Sequence, residues 1–177
     1  MIYTSDTIEK DALFEVAKLM AVAARTAPKA RGVDTILTMI IDGEDKDAVA
    51  EEMRRIAGDD ESLATFKRDA GNVDNSEYLV VLAVIDRPVG LTVCSTCGFE
   101  TCEAAATAGA PCAFNISDLG TAACSACAVA SRHWVDNRLM YTPGQAVKNL
   151  DLFGTKIRMC LTVPISATGK SIYYDRK

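Results

Sequence analysis

Histidine is almost absent from this chain, which has His133 as its single imidazole among 177 residues. This scarcity excludes most zinc-hydrolase mechanisms, because their metal sites need several imidazole ligands. Basic residues are also outnumbered, since 19 Lys and Arg stand against 24 Asp and Glu and give a formal charge of −5. Without a basic stripe, neither nucleic acid nor an anionic membrane is an expected partner.

Several other patterns are missing. The sequence has no apolar run long enough to cross a bilayer, and its first four residues lead straight into charged residues, unlike a signal peptide. It has no P-loop, no nucleophile-elbow serine and no dinucleotide-binding glycine pattern. We therefore expect a cytoplasmic protein, in which the seven cysteines act as metal ligands or redox groups rather than disulfides.

The length suits a single domain over residues 1–177. Residues 78–85 (YLVVLAVI) form a continuous apolar run, which predicts a central strand covered on both faces. Apolar spacing and capping residues predict the other elements. Helices are predicted over 6–25, 42–57 and 62–75, from a cap at Ser117 to about residue 133, and near 144–150. Strands are predicted over 36–41 and 156–163, followed by an extended tail over 169–176. This order predicts an α/β (or α+β) fold with a cysteine-rich loop after a core strand.

Four cysteines form the most informative motif of the chain. Cys94, Cys97, Cys102 and Cys112 are spaced C-x2-C-x4-C-x9-C inside a loop segment that we place at residues 88–116. Thr101 is predicted to cap a short helix whose first turn contains Cys102, where helix N–H groups favour a thiolate. Four thiolates on one short loop fit an iron–sulfur cluster or a structural zinc ion, and spacing alone leaves both open.

The same segment has no local positive charge. No Lys or Arg occurs between Pro88 and Ser131, whereas Glu100, Glu103 and Asp118 lie nearby in sequence. Adding an electron to an anionic cluster is unfavourable in such surroundings, so we expect a low reduction potential for a cluster here.

The motif C-x2-C-G-x3-C-E resembles the small iron–sulfur domain of electron-transport complex B subunits and corrinoid iron–sulfur proteins. The resemblance implies a [4Fe–4S] cluster held by Cys94, Cys97, Cys102 and Cys112. The last gap is shorter here than in those domains, so Cys124 or Cys127 is an alternative fourth ligand. At positions i and i+3 of the following helix, those two cysteines are otherwise small residues that allow close packing.

The whole chain resembles an uncharacterised prokaryotic family described as ferredoxin-domain (DUF2148-like) proteins. The segments that carry this resemblance are AARTAPKARGVD (23–34), CSTCGFETC (94–102), DLGTA (118–122), VDNRLMY (135–141) and GKSIYYDR (169–176). They extend over nearly the full length.

A more remote resemblance is to flavin nitroreductases, through the order of elements, the segment around Pro28 and the D-x-G-x-A pattern at 118–122. It implies a three-layer sandwich, FMN as a cofactor and a homodimer with flavin sites at the subunit interface. The N-terminal phosphate clamp of that family is absent. The residues that could contact the flavin phosphate instead are Arg25, Lys29, Arg31, Lys170 and Arg176.

Two functional hypotheses follow. The first is an iron–sulfur electron-transfer protein, with a flavin-dependent, nitroreductase-like oxidoreductase as its finer form, acting with a redox partner protein or a small-molecule substrate. The second is a non-enzymatic module in which zinc or a cluster stabilises a surface that binds a partner.

Overall fold

The computed structural model describes residues 1–174 of the chain, and Asp175, Arg176 and Lys177 lie outside the described part. The helices are α1 (Ser5–Thr26), α2 (Gly43–Ala57), α3 (Ala64–Asp74), α4 (Cys102–Thr107), α5 (Ala113–Arg132) and α6 (Thr142–Asn149). The strands are β1 (Ile36–Ile41), β2 (Tyr78–Ile85), β3 (Asp136–Asn137) and β4 (Ile157–Ser166). Two short 3-10 turns, Ala30–Gly32 and Glu61–Leu63, precede β1 and α3.

The sheet has the order β1-β2-β4-β3, and each neighbouring pair is antiparallel. β2 lies inside the sheet, with Leu82 opposite Thr38 of β1 and Leu161 of β4. All of β2 except Ile85 is buried. Since side chains alternate between the faces of a strand, an apolar run without alternation requires cover on both faces, as the sequence predicted.

Helices α1 and α5 cover one face of the sheet. Leu13 and Met20 of α1 pack with Leu119 of α5 and with the even-numbered residues of β2, from Tyr78 to Val84. Each fully buried Leu or Met contributes about 1.5–3 kcal/mol relative to its exposed state. Alanines at the α1–α5 contact, such as Ala122 and Ala126, leave little side-chain volume between the two helices, so their backbones approach closely.

Helices α2, α3 and α6 cover the opposite face. Val49 and Met53 of α2 pack with Val73 of α3, Val147 of α6 and the odd-numbered residues of β2. Cys160 of β4 is fully buried in this core, the packing role that its apolar neighbours in sequence predict. The result is a three-layer helix–sheet–helix sandwich, which confirms the fold predicted from sequence. None of the helices in residues 1–174 has the length and apolar character needed to cross a membrane.

Three local expectations need correction. Helix α5 begins at Ala113 with Cys112 at its N-cap position, whereas Ser117 was the predicted cap. The two-residue strand β3 was not predicted, because two residues carry no detectable alternation. Residues 172–174 form a turn rather than an extended tail, and Tyr173 is buried with its hydroxyl 2.8 Å from that of Ser76.

A four-cysteine cavity as the candidate metal centre

The loop between β2 and α4 carries the first two cysteines on one tight turn. The backbone N–H of Gly98 donates to the carbonyl of Ser95 at 2.9 Å, which closes a turn that Cys94 directly precedes and that contains Cys97. Gly98 has φ +85°, a left-handed conformation that side chains rarely adopt. The glycine after the second cysteine therefore makes the C-x2-C turn possible.

Helix α4 positions the third cysteine. Thr101 caps it as predicted, because its hydroxyl oxygen accepts a hydrogen bond from the N–H of Ala104 at 3.1 Å. Cys102 is thus the first residue of this six-residue helix. Gly109, with φ +68°, then reverses the chain and leads to Cys112 at the N-cap position of α5. Two helix starts therefore present cysteines to the same region.

All four cysteines line one cavity. Its other lining residues are Pro88, Ala105, Ala110, Ala113 and Phe114, so the donor set consists of four sulfur atoms in an apolar surround. The cavity is narrow, with a volume of 20 Å³. Cys94, Cys97 and Cys102 also line an adjoining cavity of 310 Å³. A set of thiols without oxygen or nitrogen donors suits soft metal centres.

The four thiols differ in their surroundings. Cys112 is buried, and the other three are half-buried, so the group lies close to the protein surface. Cys94 Sγ lies 3.4 Å from the hydroxyl oxygen of Thr96. Hydrogen bonds with Thr96 lower the pKa of the Cys94 thiol, because they stabilise the thiolate. The hydrogen bond with the Thr96 side chain contributes most, and that with the Thr96 backbone contributes less.

Folding brings two cations to a segment that contains none. Arg31 Nη1 donates to the carbonyls of Val89 and Gly90, at 3.2 and 3.4 Å. From the other side, Arg158 donates to the carbonyl of Gly109 and pairs with Asp86 at 3.7 Å. Sequence reasoning named Arg31 only as a flavin-phosphate candidate and did not name Arg158, because the two arginines are about 60 and 50 residues away along the chain from the carbonyls that they contact.

The alternative fourth ligands lie elsewhere. Cys124 is exposed and Cys127 is half-buried on α5, and neither lines the four-cysteine cavity. A helix rises about 1.5 Å per residue, so Cys124 is about 18 Å along α5 from Cys112. Two causes raise the pKa of the Cys127 thiol to about 11: its burial, which is the larger, and the charge of the nearby Cys124. The geometry thus groups Cys112, and not these two, with the loop cysteines.

Two of the residues suggested for a flavin phosphate, Arg25 and Arg31, line different cavities. Arg25 donates to the carbonyl of Ile36 at 2.6 Å and pairs with Asp34 at 2.8 Å. The side chain of Lys29 is buried and donates to the carbonyls of Arg25 and Ala27, at 2.6 and 2.9 Å. Both side chains thus hold the turn after α1 in place.

Of the other three suggested residues, the structure describes Arg31 and Lys170. Arg31 is exposed and lines a separate cavity that includes neither Arg25, Lys29 nor Lys170. Lys170 is exposed in the segment after β4, and Arg176 lies outside the described residues.

The comparisons with known proteins agree with two of the three resemblances seen in the sequence, those to the ferredoxin-domain family and to the nitroreductases. Residues 108–176, which include Cys112, match the family described as "Uncharacterized protein containing a ferredoxin domain (DUF2148)". A protein from Archaeoglobus fulgidus, described only as an uncharacterized protein, is 41% identical over 170 residues. That alignment covers 90% of this chain and 89% of the relative.

Solved structures share the fold at low sequence identity. A nitroreductase with bound FMN from Desulfitobacterium hafniense DCB-2 superposes with a TM-score of 0.60 at 14% identity, covering 96% of this chain and 81% of that one. A BluB-like flavoprotein from Clostridium difficile 630 gives 0.55 at 14% identity, covering 95% and 93%. A nitroreductase family protein from Clostridium novyi NT gives 0.57 at 13% identity, covering 94% and 76%. Together with the full-length relative, these findings show that the chain belongs to the ferredoxin-domain family DUF2148 and has the nitroreductase fold.

Proposed function

We propose that this protein is an iron–sulfur redox protein whose cluster is held by Cys94, Cys97, Cys102 and Cys112. The observation that carries the proposal is that these four thiols line one cavity with no competing oxygen or nitrogen donor. The family description, which names a ferredoxin domain, and the fold support a redox role.

The motif and the family favour a polynuclear centre over a single zinc ion. The pattern C-x2-C-G-x3-C-E resembles that of small iron–sulfur domains, and the matching family is described as containing a ferredoxin domain. Four thiolates by themselves also suit zinc. Within the described residues 1–174, no group of three or more His, Cys, Asp or Glu side chains is arranged to hold a metal ion, so the choice of a cluster rests on the motif and the family.

The chain itself supplies several features that such a centre needs. A bound cluster would supply one-electron transfer. Cys102 is the first residue of α4 and Cys112 occupies the N-cap position of α5, so the positive ends of two helix dipoles favour negatively charged sulfur at both positions. The three half-buried cysteines lie near the surface, where a redox partner protein can approach. All seven cysteines are free thiols, as we expect for a cytoplasmic protein.

A flavin-dependent oxidoreductase is the finer form of this proposal, and it rests on the fold. The nitroreductase from Desulfitobacterium hafniense is described as having bound FMN. We propose FMN as a second cofactor and a homodimer as the assembly. Exposed apolar side chains support an interface: Ile8, Leu19, Val22 and Trp134 are 54, 47, 59 and 92% exposed. Apolar surface of this kind commonly marks a protein–protein contact.

Anaerobic purification tests the proposal. We expect a brown protein with broad absorbance near about 400 nm and with bound iron and acid-labile sulfide, the signature of a thiolate-ligated cluster. A colourless protein with one zinc ion would reject the proposal and favour the non-enzymatic binding module instead. Flavin released by heat and identified by its fluorescence would support the finer form, and its absence from a brown protein would reject only that form.

Single Cys→Ser variants test the ligand set. We expect Cys94→Ser, Cys97→Ser, Cys102→Ser and Cys112→Ser each to lose most of the iron and of the absorbance. Cys124→Ser is the matched control, because Cys124 is an exposed cysteine on α5 that does not line the cavity. Loss of iron in Cys124→Ser with normal loading of Cys112→Ser would show that the fourth ligand is wrongly assigned.

A further inference from the structure

A second cavity, of 230 Å³, lies directly beside the four-cysteine cavity. Pro88 lines both cavities, and consecutive residues at the start of α5 divide between them, Phe114 facing the cysteines and Asn115 lining the second cavity. This volume is below the range of drug-sized ligand sites, which begins near about 300 Å³, and suits a small group.

The lining of this cavity offers hydrogen-bond donors and positive charge. Two exposed arginines, Arg31 and Arg87, are among its lining residues, and no Asp or Glu lines the cavity. Within residues 1–174, neither arginine forms an ion pair with a carboxylate. Arg31 donates to the carbonyls of Val89 and Gly90 through one nitrogen, Nη1. Most of its five N–H groups are therefore left for other acceptors.

Two buried polar groups of the lining have no partner. Thr35 and Asn115 are 2% and 1% exposed. The Asn115 carbonyl oxygen accepts a hydrogen bond from the backbone N–H of Arg87 at 3.2 Å, so its amide nitrogen is the other end of the side chain. That nitrogen and the Thr35 hydroxyl are both buried without a hydrogen-bond partner. Leaving a buried donor unsatisfied is costly, and such groups in native proteins usually mark a missing ligand or water.

We infer that this cavity is a binding site for a small oxyanion, held between Arg31 and Arg87 with Asn115 and Thr35 as further donors. The cavity lies at the N-terminal end of the twenty-residue helix α5, whose dipole adds to the attraction for negative charge. Two sources of such a group are consistent with the cavity, a free inorganic oxyanion and the phosphate of a larger molecule. The inference concerns binding alone and does not depend on the cluster.

Calorimetric titration of the protein as purified anaerobically, with inorganic phosphate, FMN and riboflavin as separate probes, tests the inference. We expect phosphate or FMN to bind, with an affinity that falls as salt rises. Binding of phosphate and FMN but not riboflavin identifies a phosphate-recognition site. Binding of phosphate alone identifies a site for a free oxyanion. Failure of both phosphate and FMN to bind would overturn the inference.

Three variants locate the binding. Arg87→Gln should weaken anion binding at least tenfold, because charge-assisted hydrogen bonds are the strong ones. Asn115→Asp should abolish it, since the carboxylate keeps an acceptor for the Arg87 N–H but places negative charge in the cavity. Arg132→Gln is the control, because Arg132 is an exposed arginine at the other end of α5.

If both cavity variants bind as the wild type does, the anion lies elsewhere and the inference is wrong. Iron and sulfide contents are measured on the same samples. If the protein binds the anion but contains no cluster, the anion site is supported and the proposed redox function is rejected. If the protein contains a cluster but does not bind the anion, only the anion site is rejected.

Discussion

Asp118 of α5 holds the turn after α1 through Ala30, whose backbone N–H lies 3.1 and 3.2 Å from the two carboxylate oxygens of Asp118. Asp118 is 7% exposed, so the bond is shielded from water. It joins the two sequence features that carry the remote resemblance to nitroreductases, the segment around Pro28 and the D-x-G-x-A pattern at 118–122. Ala30 is followed directly by Arg31, which lines the proposed anion cavity. The Asp118–Ala30 contact therefore also fixes one wall of that cavity.

Asp118→Ala should destabilise the protein by about 1–3 kcal/mol, because the Ala30 N–H loses its partner in a water-poor setting. Urea unfolding followed by circular dichroism measures the change. Asp118→Asn keeps one acceptor oxygen and should lose less. Thr121→Ala, at an exposed position of the same helix, serves as the control and should change stability by no more than about 0.5 kcal/mol. Equal stability of Asp118→Ala and Thr121→Ala would refute a structural role for the contact.

Gly144 marks the closest approach of α6 to the sheet. A methyl group at this position would overlap the backbone carbonyl of Cys160 on β4, where neither partner can move without shifting an element. We expect Gly144→Ala to destabilise the protein by roughly 1–3 kcal/mol through overpacking.

Gly120→Ala is the matched control for Gly144→Ala. Gly120 lies in α5, and a methyl group there meets no atom within 4 Å. Since alanine is favoured over glycine inside a helix, this change should stabilise the fold by about 0.5–1 kcal/mol. Thermal unfolding of both variants distinguishes the two signs. A melting temperature for Gly144→Ala at or above the wild-type value would contradict the predicted overlap.

Cys160 should make the protein less stable at high pH. Burial raises the pKa of its thiol to about 12, because the thiolate loses its hydration in the core, and the nearby Lys148 offsets this only in part. The unfolded chain releases the proton near its ordinary pKa of about 8.5. The resulting stabilisation is complete below that pH and is lost as the pH rises to the folded value, at no more than about 1.4 kcal/mol per pH unit.

Urea unfolding at several pH values between 8 and about 11 measures this loss. Other buried groups titrate in the same range, among them Cys127, so the relevant quantity is a difference between proteins. Cys160→Ala should be less stable at neutral pH but should show a shallower decline with pH. Thr121→Ala, which removes no titrating group from an exposed position of α5, should keep the wild-type slope. Identical slopes in all three proteins would mean that Cys160 does not titrate with the expected shift.

Arg158 should raise the reduction potential of a cluster in the cysteine cavity. Its guanidinium contacts the carbonyl of Gly109, three residues before Cys112, and so places positive charge beside the loop. Arg158→Gln removes that charge and should lower the midpoint potential by on the order of tens of millivolts, because electron uptake then adds to an uncompensated negative charge.

Redox titration followed by electron paramagnetic resonance measures this potential, which we expect to be negative in the wild type as well. Arg132→Gln removes an equal charge at the far end of α5 and should leave the potential nearly unchanged. A potential that rises in Arg158→Gln, or that shifts equally in both variants, would contradict a local electrostatic effect.

Much of the fold could be predicted from sequence because its signals are local. The unbroken apolar run over 78–85 identified the central buried strand, and the residues after it identified the cysteine loop. Thr101 was recognisable as a cap because a threonine before a helical run has one common use. The start of α5 was not recognisable in this way, because Cys112 occupies the N-cap position without a capping side-chain hydrogen bond.

The flavin residues show where local reasoning ends. Arg25 and Lys29 are conspicuous cations in the sequence, yet in the fold Arg25 donates to the carbonyl of Ile36 in β1 and Lys29 donates to carbonyls at the end of α1. Conversely, Arg87, Thr35 and Asn115 carry no motif and become a candidate site only because β1, the loop after β2 and the start of α5 converge.

The sequence by itself determined the chemistry available to this protein: four thiols at fixed spacing, a buried strand before them and a nearly complete lack of histidine. The tertiary structure decided which of these groups lie close together. It placed Cys112 with the loop cysteines, left Cys124 and Cys127 outside the cavity that those cysteines line, and brought Arg31 and Arg158 to a segment without a cation of its own. The physical reason is that spacing fixes distances only along the chain, whereas the contacts of Arg31 and Arg158 span 58 and 49 residues and form only when the layers pack.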